Sequence, residues 1–536
     1  MQKESSNNKE EELTMNRRDF LKKASLGAAV VAGSGFLVGC NTTDATAPAS
    51  APEKWDMETD VAIVGSGNGG LSAGCAVVEE GKKAVICEIA GFIGGGSIYS
   101  GGGIHCWGVN TWEEYRKHFE DLHDPVLGKT YVETFRQTYI PWLQKNGFPI
   151  TPAGGTRGYT KDWTMGSGEP GYLKQKSYFD ALHKFFESKG GQVLLSTRVM
   201  RLVIDEAGEV CGVHALKNDG TQLFIKAGAV ILAAGGFQAN KGLTARYMGP
   251  YGDSIRTMGV PYNTGSGMLM AQGVGALTGG SFSTFSGTLI GISPNPQTEE
   301  NPEAWEKARG SDPQSLPGIG DGRPPAIGWV SFLFPEDTTG LLVNLEGKRF
   351  IDESSPIDAK YPRVPQSIIK QKRGMALMIG DQAIYDANKS SEAIMKMNEA
   401  QGCLTIKGDT LEELAVKLQE TYGFYKGAFL KTISEYNKAI DNGTADQLDV
   451  PRVAGHHKIA QGPFYAFPTG TCAYHTFGGL VINEKAQVLD VQRQPIKNLY
   501  AAPPTAAMFK EPYGGGVAAA GTFGYIAAKV ITKGSV

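Results

Sequence analysis

Residues 60–88 carry the clearest pattern of ligand-binding chemistry in the chain. Three glycines with the spacing GxGxxG, Gly65, Gly67 and Gly70, directly follow a short apolar run. In such a loop the first glycine permits a tight turn, the second lets the backbone approach a pyrophosphate, and the third lets helix and strand pack closely. An acid, Glu88, follows about 20 residues further on, where a carboxylate can bind a ribose hydroxyl. The pattern predicts a dinucleotide site made of Gly65, Ser66, Gly67, Asn68, Gly69, Gly70 and Glu88.

The elements that must position this loop have the required order. The apolar run 61–64 is typical of a buried parallel strand. The small-residue segment 71–78 predicts a helix whose N-terminal amides and dipole would face the phosphates. A second strand is predicted over 83–87, ending at the acid. A glycine-rich turn in an unrelated α/β domain is the alternative, and the complete order of elements disfavours it.

Composition excludes several classes of protein. The 536 residues are long enough for two or more domains, and a net charge of −3 gives no electrostatic case for nucleic acid. The seven cysteines form no CxxC or CxxCH motif, and the adjacent His456 and His457 lack metal-ligand spacing. The sequence therefore predicts no metal site and no haem attached through a CxxCH motif.

The N-terminal segment has the features of an export signal. Arg17 and Arg18, followed by Asp-Phe-Leu-Lys-Lys and an apolar segment over 24–39, are typical of a twin-arginine signal. The residues Leu-Val-Gly before Cys40 resemble a lipobox, which predicts a lipid anchor at that cysteine. Residues 41–56 are rich in Thr, Ala and Pro and predict a flexible tether. We expect a periplasmic or cell-surface protein exported in folded form.

Beyond Glu88 the chain resembles a known flavoprotein family. The segment Gly95-Gly96-Ser97, followed by Gly101-Gly102-Gly103, is similar to the flavin- and diphosphate-holding segments of the fumarate reductase and succinate dehydrogenase flavoproteins. That family includes 3-ketosteroid dehydrogenases and urocanate reductase. The resemblance implies FAD as cofactor. Because Gly96 occupies the place of the histidine that carries covalent FAD in some relatives, it implies non-covalent FAD.

Further segments follow in the family's order. Their implied FAD contacts are Val199 on the adenine, Ala233-Ala234-Gly235 on the diphosphate, Asn263, Gly265 and Gly267, and Gly515, Gly516 and Val517 before the last helix. Pro503-Pro504 replaces the family's Gly-Glu, which puts the ribityl contacts in doubt.

The implied fold class is α/β, with a Rossmann-like FAD-binding domain of the glutathione reductase type and an inserted α+β capping domain. The predicted organisation is a signal peptide over 1–40, the tether over 41–56, the FAD-binding domain over 57–280, the capping domain over 281–454, and the C-terminal return of the FAD-binding domain over 455–536.

Departures from the family pattern bear on the substrate. Fumarate reductases carry a catalytic arginine four residues after the glutamate that corresponds to Glu353, and Ile357 stands there. A second family arginine falls near Glu336. Because arginine is the preferred bidentate partner of a carboxylate, these losses predict a neutral or bulky substrate. The alternative is a shifted register in which Lys360 or Arg363 takes the role.

The resemblance also implies catalytic residues. His475 corresponds to a histidine beside the flavin, which predicts a hydrogen-bond donor there. Tyr513 and the amide of Gly516 match the tyrosine and amide that polarise the steroid carbonyl in ketosteroid dehydrogenases. Tyr474 and Tyr361 are the candidate proton donors. A packing role for Tyr513 and a structural role for His475 are the alternatives.

These residues together predict an exported FAD-dependent oxidoreductase acting on a C=C bond conjugated to a carbonyl. We expect hydride transfer from flavin N5 to a neutral or bulky enone, with electrons from a separate cytochrome or quinol-linked partner. The alternatives are a ketosteroid dehydrogenase working oxidatively, a reductase of fumarate- or urocanate-type acids, a nicotinamide dehydrogenase, and a non-catalytic flavin carrier.

Overall fold

The computed structural model describes residues 47–120, 123–153, 162–169, 173–257, 259–292, 340–354, 357–387, 405–509 and 514–535, with the backbone alone over 357–362. The signal peptide, Cys40, Glu336 and Tyr513 lie outside these residues, as do the side chains of Ile357, Lys360 and Tyr361. Within the described chain, no helix combines the length and the apolar character needed to cross a membrane.

The strands, in chain order, are β1 (Ala49–Ser50), β2 (Met57–Val64), β3 (Ala84–Cys87), β4 (Gly103–Ile104), β5 (Ile150–Pro152), β6 (Trp163–Met165), β7 (Gln192–Leu194), β8 (Thr197–Ile204), β9 (Val210–Lys217), β10 (Gln222–Leu232), β11 (Arg256–Thr257), β12 (Thr278–Gly279), β13 (Phe285–Gly291), β14 (Leu341–Val343), β15 (Ala376–Gly380), β16 (Ile406–Gly408), β17 (Phe464–Thr476), β18 (Gly479–Leu480), β19 (Gln487–Leu489) and β20 (Pro495–Ala501).

The α-helices of the described residues are α1 (Asn68–Glu79), α2 (Trp112–His118), α3 (Pro125–Thr134), α4 (Ile140–Lys145), α5 (Leu173–Ser188), α6 (Lys241–Tyr247), α7 (Ser266–Gln272), α8 (Ile357–Ile368), α9 (Gln382–Ala387), α10 (Leu411–Tyr422), α11 (Lys426–Asp441) and α12 (Gly516–Lys533). A π-helical turn, Phe135–Tyr139, joins α3 to α4.

The main sheet has a parallel centre. Strands β7, β3, β2, β10 and β20 lie side by side in parallel, so their carboxyl ends share one edge. On that edge the loop after β2 leads into α1, as the glycine spacing predicts. The antiparallel strands β8 and β9 continue the sheet from the first half of β10. This mixed α/β arrangement is the predicted FAD-binding type of fold.

A second sheet is built around β17, which pairs with β11, β13, β15 and β16. The buried apolar residues form two large clusters. One lies around the main sheet, and the other includes Leu341, Leu377, Leu418 and Phe464. Strand β17 begins in the second cluster and ends at the main one, so it joins the two cores. The domain boundaries at 281 and 454 stay a prediction, although this second core fits an inserted cap.

Three local predictions were wrong. The sequence over 192–199, Gln-Val-Leu-Leu-Ser-Thr-Arg-Val, predicts one continuous strand. The strand instead breaks at Ser196, whose φ of +50° turns the chain so that β7 pairs with β3 and β8 with β9. The helical periodicity over 172–187 predicts that Leu173 shares one buried face with Phe179, Leu182 and Phe186, but Leu173 is 39% exposed and lies off that face of α5. The resemblance of residues 341–353 to a family segment implies a strand, a turn and a second strand. Only Leu341–Val343 is a strand, and the returning chain forms a single bridge, between Val343 and Arg349.

Candidate active site

A cavity of about 820 Å³ opens along the carboxyl edge of the main sheet. Its wall comes from the β2–α1 loop, the end of β3, the end of β10, the end of β17 and the first turn of α12. Pockets at this edge of a parallel sheet are the usual place for a dinucleotide. The volume lies in the range expected for a large organic ligand.

In the loop between β2 and α1, two glycines are required because a side chain would clash with the protein, and a third glycine has free space beside it. Gly65 has a φ of +98°, and a Cβ there would strike the carbonyl of Ala233. A Cβ on Gly70 would strike the carbonyl of Gly65, so this glycine is required by packing. At Gly67 a Cβ would meet no protein atom closer than 3.6 Å, at Ser97 Oγ. The space beside Gly67 therefore fits a ligand that approaches the backbone.

Helix α1 begins at this open glycine. Gly67 is its N-cap and has no side chain with which to cap the helix. The first amides of a helix lack partners within the helix, and its dipole favours an anion there. Ser97 Oγ accepts a hydrogen bond from the Asn68 amide at 3.3 Å, which brings the second glycine segment against the helix. The diphosphate of FAD fits this arrangement.

Glu88 closes the end of the cavity beside β3. Its Oε2 accepts hydrogen bonds from the amide and hydroxyl of Ser66 at 2.8 and 2.6 Å, and its Oε1 accepts one from the Ala90 amide. Burial raises the pKa of this carboxyl, and the Ser66 and Ala90 bonds oppose that rise. Oε2 already accepts two hydrogen bonds, whereas Oε1 accepts the Ala90 amide and has a second lone pair with which it can accept a ribose hydroxyl.

Helix α12 closes the other end of the cavity. Its N-cap, Gly515, has a φ of +96°, and Gly516, Val517 and Ala520 line the wall. The Tyr131 hydroxyl lies 3.2–3.3 Å from the carbonyl oxygens of His105, Gly514 and Gly515, so it donates to that group of acceptors. Tyr131 thus holds the helix start in place, with its positive end toward the cavity.

Strand β17 brings Tyr474 and His475 to the same end. Ser286 of β13 pairs with His475 across the strands, and all three residues line the cavity. Burial lowers the pKa of His475 to about 4, so its imidazole is neutral at neutral pH. A neutral imidazole donates through one ring nitrogen and accepts through the other.

Most of the predicted cofactor residues come together in this one cavity. Those that line it are Gly65, Ser66, Gly67, Asn68, Gly69, Glu88, Gly95, Gly96, Ser97, Gly101, Gly103, Val199, Ala233, Ala234, Gly235, Asn263, Gly516 and Val517. Five predicted glycines lie behind the wall: Gly70, Gly102, Gly265, Gly267 and Gly515. Packing explains Gly70, Gly265, Gly267 and Gly515, where a Cβ would come within 3.0 Å of a neighbouring residue. At Gly102 a Cβ would meet only the flexible end of Lys174, and the φ of +81° explains the glycine.

Of the residues that could stand in for a family residue near the substrate, the structure describes the side chains of Arg363, Pro503 and Pro504. Arg363, one alternative carboxylate partner, is exposed on α8 and does not line the cavity. The other, Lys360, has an undescribed side chain. Pro503 and Pro504 line the wall where the family has Gly-Glu, so this segment keeps its place without offering a carboxylate.

Several wall residues had no predicted role. The aromatic residues Trp107 and Trp163, the basic residues Lys174 and Arg198, and His105 all line the cavity. His105 and Trp107 directly follow the glycine run 101–103, which could have drawn attention to them. Trp163 comes from residues 111–170, which carry no motif, and Lys174 lies on the helix that follows them.

Comparisons with known proteins agree with this site. Residues 60–517 match a protein family described as FAD binding domain. An NADH:acrylate oxidoreductase of Vibrio harveyi is 26% identical over 570 residues, covering 91% of this chain and 51% of that protein. A digoxin reductase of Eggerthella lenta is 26% identical over 533 residues, covering 91% and 90%. The chain thus spans about half the length of the first relative.

Solved structures show the same fold. The open conformation of a flavocytochrome c3 fumarate reductase is 25% identical, with a TM-score of 0.65 over 90% of this chain and 79% of that chain. The 3-ketosteroid-Δ4-(5α)-dehydrogenase of Rhodococcus jostii is 21% identical, with a TM-score of 0.64 over 91% and 100%. The second likeness concerns the fold alone.

Proposed function

Since the chain belongs to the FAD binding domain family and is an FAD-dependent oxidoreductase related to enzymes that act on C=C bonds, we propose that it reduces a C=C bond conjugated to the carbonyl of a neutral or bulky enone. The FAD is held non-covalently, because Gly96 offers no side chain for attachment.

The neutral character of the cavity wall around β17 carries this proposal. The described residues there, Tyr474, His475 and Ser286, are uncharged donors, and His475 is kept neutral by burial. Uncharged donors suit a ketone oxygen, whereas a carboxylate is bound best by a guanidinium. The digoxin reductase relative, matched over 90% of its length, supports a substrate other than a small dicarboxylate.

When bound and reduced, FAD would supply the hydride for the carbon β to the carbonyl, and a protein side chain would supply the proton for the α carbon. The protein must then stabilise negative charge developing on the carbonyl oxygen. We assign this to the Tyr513 hydroxyl and the Gly516 amide, and a supporting hydrogen bond to His475. Tyr474 and Tyr361 are the candidate proton donors. Tyr513 lies outside the described residues, so its role rests on the family resemblance.

Reduction of an unsaturated acid is the second candidate. Lys174 lines the cavity beside the glycine run 101–103, and an ammonium can bind one carboxylate oxygen. The acrylate oxidoreductase relative supports this alternative. A single lysine gives weaker recognition than two bidentate arginines, which is why we place it second.

We propose that the enzyme acts outside the cytoplasm, after export by the twin-arginine route and with a lipid anchor at Cys40. Its electrons would come from a separate cytochrome or quinol-linked protein. The likeness to a flavocytochrome fumarate reductase supports a cytochrome as the donor.

An acceptor panel tests the substrate. The purified FAD-loaded protein would oxidise reduced methyl viologen anaerobically in the presence of fumarate, cinnamate, benzalacetone or 4-androstene-3,17-dione. We expect a higher kcat/KM with one of the two ketones than with either acid. Fumarate or cinnamate as the best acceptor would overturn the neutral-substrate proposal and favour the second candidate. Oxidation of a saturated ketosteroid with a dye acceptor, without the reverse reaction, would indicate a dehydrogenase.

A further inference from the structure

The loop over 105–109 presents two aromatic side chains to the cavity. His105 and Trp107 both line it, with their rings edge to face and their centroids 5.5 Å apart. Trp107 has a φ of +52°, in the left-handed region that bulky residues seldom adopt. A backbone held in such a conformation at a cavity wall indicates a functional constraint on the direction of its side chains.

A buried ion pair holds this loop. The Arg136 guanidinium donates to Asp162 Oδ1 at 2.6 Å and to the Val109 carbonyl at 2.8 Å. Asp162 also accepts hydrogen bonds from the amides of Cys106 and Gly108, at 3.1 and 2.6 Å. The Asp162 side chain is fully buried and that of Arg136 is 13% exposed. The pair therefore fixes the backbone on both sides of Trp107.

The same loop is tied to the start of α12. Tyr131, one helical turn before Arg136 along the chain, places its hydroxyl among the carbonyls of His105, Gly514 and Gly515. A Cβ on Gly515 would strike the His105 carbonyl, so the two segments are in direct contact. His105 thus lies at the end of the cavity that Gly516 also lines.

His105 carries no charge in this environment. Burial lowers the pKa of its imidazole to about 4, while Asp162 raises that pKa and Arg136 lowers it. The ring is a neutral donor and acceptor at neutral pH, of the same kind as His475.

We propose that His105 is a substrate-contacting residue which hydrogen-bonds the carbonyl compound, and that Arg136 and Asp162 are positioning residues that aim it into the cavity. This inference rests on the proposed function and extends it by naming a second neutral donor for the substrate. It also gives a role to the helical segment after residue 111, in which the sequence shows no motif.

The test uses three substitutions of one residue in the FAD-loaded protein. His105→Ala removes both the ring and the hydrogen bond. His105→Phe keeps an aromatic ring but cannot form the hydrogen bond, and His105→Gln keeps a neutral donor and acceptor without the ring. Binding of benzalacetone and 4-androstene-3,17-dione is measured by the change in the flavin absorbance spectrum, and KM and kcat by viologen oxidation. We expect the alanine and phenylalanine variants to bind about tenfold more weakly, and the glutamine variant to bind within threefold of the unsubstituted protein.

Asp162→Asn tests the positioning role. We expect a raised KM with FAD content retained, because the neutral amide keeps the side-chain shape while it weakens the hold on Arg136. His214→Ala, on a histidine of β9 that faces Gln222, is the matched histidine control, and Asp441→Asn, which breaks a surface ion pair with Lys458, is the matched carboxylate control. Neither control should change KM.

Three results would overturn the inference. Phenylalanine at position 105 with unchanged affinity would show a packing role alone. Loss of FAD from all three variants would make His105 a cofactor-holding residue. Asp162→Asn with an unchanged KM would remove the positioning role. If the unsubstituted protein binds neither ketone, the proposed function fails, and this inference fails with it before any variant is compared.

Discussion

The side-chain amide of Asn68 donates a 2.8 Å hydrogen bond to the carbonyl of Val517, across 449 residues of sequence. The bond joins the first turn of α1 to the first turn of α12 at the cavity wall. Asn68 also donates to the Tyr139 hydroxyl and accepts a hydrogen bond from that of Tyr178. Its side chain therefore serves the protein framework, while its backbone lies at the expected diphosphate.

Asn68→Ala should lower both stability and FAD affinity. The substitution leaves the half-buried Val517 carbonyl and the buried Tyr178 hydroxyl without this partner, at a cost of about 2–4 kcal/mol. Urea unfolding and flavin fluorescence titration measure the two effects. Asn442→Ala, at the exposed end of α11, is the matched control and should change neither. An unchanged unfolding free energy for Asn68→Ala would contradict the framework role.

Gly67→Ala should impair FAD binding while the apoprotein keeps its stability. The added methyl group has room in the protein but projects into the space assigned to the diphosphate. We expect FAD affinity to fall at least about 100-fold, which corresponds to about 2.7 kcal/mol. Gly70→Ala is the contrasting variant, because its methyl group strikes the Gly65 carbonyl and should destabilise the apoprotein itself. Equal FAD affinity for Gly67→Ala and the unsubstituted protein would exclude the assigned ligand position.

Glu353→Gln should destabilise the cap. Glu353 is fully buried and accepts hydrogen bonds from Arg349 at 2.6 Å and Arg452 at 3.2 Å. Neutralising it leaves two buried guanidiniums without their carboxylate, at a cost of about 3–5 kcal/mol. Thermal unfolding measures this loss. The control is Glu435→Gln, which removes an exposed ion pair with Lys431 and should have no measurable effect on thermal unfolding. A similar loss of stability in both variants would show that burial of the Glu353 ion pairs does not matter.

Stability should fall as the pH drops below about 6.5. Burial depresses the pKa of His105 and His475 to about 4 from the ordinary value of 6.5, so the unfolded chain binds more protons in between. Each histidine then contributes stability that is fully present above pH 6.5 and is lost as the pH falls toward 4, at up to about 1.4 kcal/mol per pH unit. Urea unfolding of the apoprotein measures the free energy of unfolding at pH 5 and at pH 7. The change in this free energy between the two pH values should be smaller for His475→Gln than for the unsubstituted protein. An unchanged difference would contradict the depressed pKa.

Tyr513→Phe should lower kcat for a ketone substrate while FAD content stays the same. Loss of one donor to a developing oxyanion costs about 10²–10³ in kcat. Stopped-flow reoxidation of the reduced flavin by benzalacetone measures the step directly. Tyr425→Phe, at an exposed tyrosine before α11, is the control. If both variants keep the full rate, carbonyl polarisation must come from other residues.

The dinucleotide site could be predicted from sequence because its determinants are local. The glycine spacing, the apolar run before it and Glu88 lie within 29 residues, and the structure brings them to one sheet edge. The sequence Thr410-Leu-Glu-Glu413 predicts a capping box at a helix start, and the Thr410 hydroxyl accepts a hydrogen bond from the Glu413 amide. Short-range patterns of this kind depend on backbone geometry, which adjacent residues determine.

The other wall could not be predicted, because its contacts are long-range. Arg136 and Asp162 are 26 residues apart, and their partners in the loop lie 27 residues before Arg136 and 54 and 56 residues before Asp162, with no periodic signal to connect them. Ser196 lies within a run of apolar and β-branched residues that predicts one strand, and only the pairing of its neighbours with different strands shows the break. Lys174 belongs to an amphipathic helix in which its position toward the cavity depends on tertiary packing.

The packing of α12 against α1 has a consequence for biosynthesis. A nascent chain cannot complete the cavity until residues 516–533 have left the ribosome and docked, so FAD capture has to wait for the docking of α12. If the chain were exported unfolded, it would arrive without FAD and would have to bind FAD outside the cytoplasm. Export of the folded protein would carry the bound FAD across the membrane with it.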